Sequence, residues 1–598
     1  MSKKISRLIF LVSLSFTLVA CNNTPQSTTN NGSTHNSTPK QNTQIPDVSE
    51  LVENEPINAM PDVGDVQLRG NATTAGATAV ITLQRTTASF TGTNVNVTQN
   101  PTYGTIVEIT SSGTYVIQGT LEQGFVAISK KDLDVTIVLN GVNIYCKNYA
   151  AIACLKKSNV TIELADGSTN YLTDGGQGAA DGKYQYGYDD EEQPNATICV
   201  RKDLIIKGYG KLIVNGNLNN GIGSRANLTI YGGDIYVSAI NNALKGNDSI
   251  TISGGSFTLT SQQDGIKSEE TGDGLGTITI TGGSFAISSV QDAIQAAANL
   301  IISNANIKIK TGGGSSAKTT PSSAKGLKAA ESLVINSGIF DIDSNDDGIH
   351  SNNTITINGG TIAISSGDDG IHADNRIIIN SGTISISKCY EGIESQNIDI
   401  NGGNITIKSS DDGINISGGK DSSGLTQNRP MPGRPGGFGG GGNFTPIDGT
   451  LTITSGEIYI NSIGDGIDSN GNIAISGGTI IIMGPERDPD VPFDYDGTCT
   501  MIGGTLIALG SAGQMVQQPG TSSAQCSFIA KFTTAVAAGS VITVESNAGV
   551  EIVNITTLVS AKGLIVCSPL LKTGTTYKIS ANGSVLKTVT INSTINTF

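Results

Sequence analysis

Asp369-Gly370-Ile371-His372-Ala373-Asp374-Asn375-Arg376-Ile377-Ile378-Ile379-Asn380-Ser381-Gly382-Thr383-Ile384-Ser385-Ile386-Ser387 contains three apolar pieces separated by turn residues. Each piece alternates or runs in β-branched residues, which reads as strand. Asp-Asn and Asn-Ser-Gly between them are turn chemistry. No window keeps helical spacing. The same signature recurs as Asn220-Gly221-Ile222, Asp264-Gly265-Ile266, Asp347-Gly348-Ile349, Glu391-Gly392-Ile393, Asp412-Gly413-Ile414 and Asp465-Gly466-Ile467. Looser copies are Asn242-Ala243-Leu244, Asp292-Ala293-Ile294 and Lys325-Gly326-Leu327. Of the nine steps between the small central residues, five are 22 and one is 21; steps of 28, 33 and 53 read as one period plus an insertion.

A fixed period of this length marks stacked repeats, none of which can bury a core alone. Stacked in parallel at about 4.8 Å per coil, three short strands enclose an isoleucine-filled interior. The expectation is an all-β chain: a right-handed parallel β-helix of about 22 residues per coil, closed by a C-terminal β-rich cap. A leucine-rich repeat needs an L-x-x-L-x-L pattern that is absent, and a propeller needs units of about 40 residues. Composition agrees, with 76 Gly, no Trp and 15% charged residues. A net charge of −15 makes nucleic acid and anionic membrane surfaces poor partners.

Lys3, Lys4 and Arg7 precede an apolar run from Leu8 to Ala20, which reads as a signal segment too short to span a membrane. Leu18-Val19-Ala20-Cys21 resembles the bacterial lipoprotein signal box, with Cys21 as the lipidated residue. The expected organisation is a signal peptide over 1–20 and an Asn/Thr/Ser-rich tether over 21–65. The repeat domain follows over 66–500, with insertions near 172–195 and 417–447, and the cap over 501–598. The mature chain would be extracytoplasmic, anchored by lipid at the cell surface. Seven cysteines remain after Cys21, with no C-x-x-C pair, so structural zinc is not expected. Buried free thiols are the preferred reading; one disulfide among Cys146, Cys154 and Cys199 stays open.

Residues one period apart share a place on successive coils. Asp347, Asp369, Glu391 and Asp412 should form one row, with Asp346, Asp368 and Asp411 beside it. Carboxylates this close repel and raise one another's pKa. They can spread into solvent or share Ca2+, a hard cation that takes six to eight oxygens. Plain Asp-Gly turn chemistry explains one Asp per coil, but explains the doubled Asp less well. His350 and His372 stack two residues after the glycine in a row that is polar throughout and is expected to point outward. It is either a solvated face or the wall of a ligand groove. Tyr184, Tyr186 and Tyr188, beside Asp189-Asp190-Glu191-Glu192, could stack on a sugar or belong to a solvated loop.

Asp347-Gly348-Ile349-His350-Ser351 through Ser387, with Asn358-Gly359-Gly360-Thr361-Ile362 between, resembles bacterial secreted proteins of the carbohydrate-binding domain family. So do Asp134 to Ile144, Gln193-Pro194-Asn195-Ala196 and Gln525-Cys526-Ser527. The resemblance implies a pectate-lyase-like β-helix that binds cellulose-like and acidic pectic polysaccharides such as polygalacturonate. It also implies calcium held by the helix, and no established catalysis. Calcium ligands carry over only as the Asp pairs above, with Glu391 assisting. A lyase is the alternative: it needs calcium and a Lys or Arg base. Lys267, Lys328 and Lys388 are conceivable bases outside any defensible signature. Ser366-Gly367-Asp368-Asp369 weakly matches pectin-hydrolysing β-helices, but their Gly-His-Gly and Arg-Ile-Lys elements are missing. A structural adhesin is the third reading, favoured slightly by the absence of Trp.

Overall fold

The computed structural model describes residues 68–175, 193–318, 322–417 and 448–598. Among them the chain is all-β, without helices, and most strands join one long, mainly parallel sheet. Each repeat contributes three strands, and each strand pairs in parallel with its counterpart in the next repeat. Leu327–Ala329 pairs with Ile349–Ser351, Ser332–Ile335 with Thr354–Ile357, and Gly338–Ser344 with Thr361–Ser366.

The alternation in the sequence decides which side chains go inside. In Thr354–Ile357 the threonines are half-buried and Ile355 and Ile357 are buried. Ile349, Ile371 and Ile393 stand in register, all fully buried, as the repeat length requires. Phe257 and Phe285 stack in the same interior, with ring centroids 4.6 Å apart.

The motif glycine is explained by close approach. A Cβ on Gly370 would lie 2.6 Å from the Gly392 carbonyl oxygen and 2.7 Å from Ile386 Cδ1. Backbone pairing runs straight through the motif: Gly370 N–H donates to Glu391 O and Ile371 N–H to Gly392 O. Asp-Gly-Ile is therefore a strand entry pressed against the neighbouring repeat. Gly360, with φ of 104°, takes the turn where a left-handed conformation is needed.

The described part of the first insertion begins after Thr169–Asp174, which pairs in parallel with Lys211–Gly216. Parallel pairing persists to Thr505–Gly510. That strand then pairs antiparallel with Ala561–Cys567, and a four-stranded antiparallel sheet is built from Val541–Ser546, Glu551–Thr556, Thr576–Ala581 and Ser584–Thr590. This part has its own core, including Phe528, Ile542, Leu564 and Tyr577. Cys146, Cys154, Cys199, Cys389, Cys499 and Cys567 are buried free thiols, and Cys526 is a half-buried one. The disulfide left open among the first three is not formed.

Candidate metal and ligand-binding face

The residue before the motif glycine points one side-chain oxygen at the next repeat. Asn220 Oδ1 accepts from Asn242 N–H (3.0 Å), and Asn242 Oδ1 from Asp264 N–H (3.1 Å). Asp264 Oδ1 accepts from Asp292 N–H (3.1 Å), and Asp292 Oδ1 from Lys325 N–H (2.8 Å). Asp347 accepts from Asp369 (3.1 Å), Asp369 from Glu391 (3.2 Å), Asp412 from Asp465 (2.7 Å) and Asp465 from Val491 (2.6 Å). An acceptor on a short side chain is what this column needs, which selects Asp and Asn. Lys325 cannot accept, and there Asp347 N–H turns to Asp346 Oδ1 instead (3.0 Å).

The second carboxylate oxygens meet two different environments. Along the first half of the column, basic side chains answer them. Lys267 Nζ lies 2.8 Å from Asp264, and Lys328 Nζ 3.2 Å from Asp292. Lys325 Nζ, itself buried, bridges Asp346 (2.9 Å) and Asp347 (2.6 Å). His350 Nδ1 contacts Asp347 at 2.8 Å. His372 Nδ1 faces Glu394 (2.9 Å) and Asp369 (3.5 Å), while its Nε2 faces Asp374 (3.4 Å). The two imidazoles stack with centroids 5.1 Å apart.

These contacts fix protonation. Burial works against the charged form of Asp347, but the Lys325 charge and the His350 hydrogen bond outweigh it and hold Asp347 well below the usual carboxylate range. Burial likewise opposes a charged His372, and is outweighed by hydrogen bonds to Asp369, Asp374 and Glu394, which raise its pKa strongly. Burial, with Asp347 beside it, pushes Asp346 up.

From Glu391 onward the answer changes. Among the described residues no ion pair reaches Glu391, Asp411, Asp412, Asp465, Asp468 or Asp494. Burial and neighbouring carboxylates push Asp412 up to about 9, Glu391 to about 8, Asp465 to about 7 and Asp468 to about 6. Asn415 is buried among them: its Nδ2 donates to Glu391 (2.9 Å), while its Oδ1 has no hydrogen-bond partner. Gly464 is pressed against two of the acids, since a Cβ there would sit 2.5 Å from Asp411 Oδ1 and 2.6 Å from Asp412 Oδ1. All these donors are hard oxygens, which suits a cation such as calcium.

The structure brings together ligand atoms of Asp346, Asp347 and Asp368, all within 4.8 Å of one another. It does the same for Asp369, His372 and Glu394, and for Asp465, Asp468 and Asp494. The expectation of an outward-pointing histidine row is corrected: His350 and His372 are buried, because the flanking acids supply partners for their ring nitrogens. Part of the insertion after Thr311 lies against this region: Asn345 Nδ2 donates to the carbonyls of Gly314, Ala317 and Lys318, and Ser315 N–H to Asp343 Oδ1 (2.7 Å). Glu394, Asp468 and Asp494 were missed as site residues. The first two lie in the polar row and were legible there; Asp494 comes from a non-repeating segment with no periodic signal. Of the conceivable bases, Lys267 and Lys328 are ion-paired, and Lys388 bonds Ser315 O and Ser316 Oγ. Cys21, Tyr184, Tyr186 and Tyr188 lie outside the described residues.

Residues 103–370 and 368–413 match the model of a family described as carbohydrate-binding domain-containing protein, together just over half of the chain. A curated relative from Acetivibrio thermocellus, described in the same words, is 43% identical over 134 residues, which are 22% of this chain and 45% of the relative. The chain thus spans under half of that relative's length. A solved structure described as a polysaccharide lyase-like protein from C. thermocellum, a gadolinium derivative, is 39% identical. The match covers 39% of this chain and 92% of that one, with a TM-score of 0.36.

Proposed function

We propose, from the premise that the chain belongs to the carbohydrate-binding domain-containing protein family, that it binds polysaccharide without catalysis and does so through calcium. The observation that carries the calcium reading is the uncompensated acid cluster around Glu391, Asp411, Asp412, Asp465 and Asp468, with the unpartnered oxygen of Asn415 among them. A cation there would relieve the repulsion and offer open coordination sites to a uronate carboxylate. In the first half of the rows, Lys325 and His372 already stand where Asp346, Asp347, Asp368 and Asp369 would hold calcium. We therefore place the ion toward Asp411 and Asp412.

The same reading takes the repeat as a right-handed parallel β-helix. It also takes Cys21 as a lipid anchor that leaves the mature chain at the cell surface. Parallel pairing of the repeat strands with their counterparts one repeat away supports the winding, and the Leu18-Val19-Ala20-Cys21 box supports the anchor.

The test is co-sedimentation of the mature protein with polygalacturonate and with cellulose, in calcium or in chelator, with ultraviolet absorbance for unsaturated product. Calcium-dependent retention without product is expected. Retention indifferent to calcium would remove the metal from the reading, and product formation would replace binding by lyase activity.

A further inference from the structure

The early repeats, ahead of the column's first acid at Asp264, carry a further feature. Tyr209 is 85% exposed and Tyr231 is 57% exposed; among the described residues they are the only aromatic side chains more than half open to solvent. Neither side chain makes a hydrogen bond or a ring contact. They lie at the same corner of consecutive repeats. Tyr231 N–H donates to the Ile206 carbonyl (2.9 Å), which sets Tyr231 beside Lys207, two residues before Tyr209. Ile206 pairs with Ile230, so Tyr209 stands two residues further along its strand than Tyr231 does, and both side chains open to solvent on adjoining strands. Gly208 and Gly210 flank one and Gly232 follows the other, and Lys207, beside Tyr231, is drawn to Glu163.

The strand that leads into Tyr209 also lines a groove of about 240 Å³ that includes Asp134, Thr136, Asn159, Thr161, Asp203 and Ile205. Ile205 and Tyr209 are four residues apart, about 13 Å along an extended strand. The groove offers the hydroxyls of Thr136 and Thr161 and the amide of Asn159. Its carboxylates are engaged locally, with Asn159 Nδ2 on Asp134 (2.8 Å) and Asn227 Nδ2 on Asp203 (2.8 Å). The lysines near the rings are paired: Lys207 with Glu163 (3.0 Å) and Lys211 with Asp234 (3.3 Å). The lysines beside the rings are thus engaged, and the two groove carboxylates repel a uronate.

We propose that Tyr209 and Tyr231 form a stacking platform for a neutral, extended glycan, whose hydroxyls are taken up by the adjoining groove. The apolar face of a sugar ring suits a tyrosine ring, which presents rigid apolar area with a polar tip. The platform rests on the polysaccharide-binding reading and extends it to a second site, selective for uncharged chains.

The test is depletion binding of the mature protein to amorphous cellulose, with polygalacturonate in calcium as the second polymer. Tyr209→Ala/Tyr231→Ala should weaken cellulose binding tenfold or more and leave polygalacturonate retention within about twofold. Tyr209→Phe/Tyr231→Phe should keep cellulose binding, because the ring is retained. Cellulose binding by the double alanine variant at wild-type strength would overturn the platform, as would an equal loss on both polymers. A wild-type protein that holds polygalacturonate but not cellulose sinks this site alone. One that holds neither sinks the polysaccharide reading with it.

Discussion

Lys325 Nζ lies 2.6 Å from Asp347 Oδ2, with both side chains almost wholly buried. Lys325 stands in the column where other repeats carry Asp or Asn, so the chain places one cation among its own stacked acids. A partner removed from such a buried pair strands the other charge.

Lys325→Met should accordingly destabilise the protein by about 3–5 kcal/mol at neutral pH. In the wild type, the depressed Asp347 pKa gives stability that is present above the unfolded value and lost as pH falls through the folded one. In the variant the sign reverses, because burial without Lys325 raises the carboxyl pKa. The melting deficit should therefore shrink from pH 7.5 to pH 5. A deficit that is constant with pH would show that Lys325 acts through packing alone.

The acids from Glu391 onward behave oppositely to Asp347 in the wild type. Asp412 is pushed up to about 9 and Glu391 to about 8. Raised carboxyls contribute stability that is full below the unfolded value, near 4, and is lost as pH rises through the folded values. In chelator, the melting temperature should decline between about pH 4 and 9, and calcium should offset most of the loss by binding the folded state. Thermal scans across that range, with and without calcium, would show it; parallel curves would count against a metal here.

Asp412→Asn keeps the oxygen that accepts from Asp465 N–H but removes a charge. It should melt higher than the wild type in chelator at pH 8, yet gain less from calcium. Gly464→Ala should also reduce the calcium increment, because its methyl would push the Asp411 and Asp412 carboxylates out of place. Calorimetric titration with calcium would separate weaker binding from a change in stability.

In the core, Ile371→Ala should cost about 2–5 kcal/mol by denaturant unfolding, the range for a large residue cut down in a packed interior. Gly370→Ala adds one methyl yet should still cost about 1–3 kcal/mol, because backbone and Ile386 already occupy the space. An unchanged midpoint for Gly370→Ala would mean that neighbouring repeats part easily.

For the anchor, Cys21→Ser should release the protein from the membrane fraction or block its processing. Fractionation identical to wild type would remove the lipid from the reading.

The interior was legible because burial follows from a period: Ile349, Ile371 and Ile393 are one repeat apart and share one side of a strand. Strand entry at Asp-Gly-Ile was less so. Asp-Gly looks like a turn, and only the approach of Ile386 and Gly392 explains why Gly370 has no side chain. The histidines were misread because a polar row reads as surface, whereas His372 is buried by partners that include Glu394, 22 residues on. The counter-charge did leave a trace. Lys325-Gly326-Leu327 is a motif copy with the opposite sign at its first position. Asp494 left none, since its segment does not repeat.

Within the column before the motif glycine, the Asp and Asn side-chain oxygens accept from an N–H that comes later in the chain, in the following repeat. The two cut ends of a truncated stack are therefore unequal. Shortening from the front exposes a backbone donor, which water serves readily. Shortening from the back bares a carboxylate whose bond has not yet arrived. During synthesis each repeat emerges with that acceptor still open, and the ribosome delivers its partner about one period later. Wherever the column carries Asp or Asn, a turn is thus locked by its successor, and the last of these bonds closes at Val491.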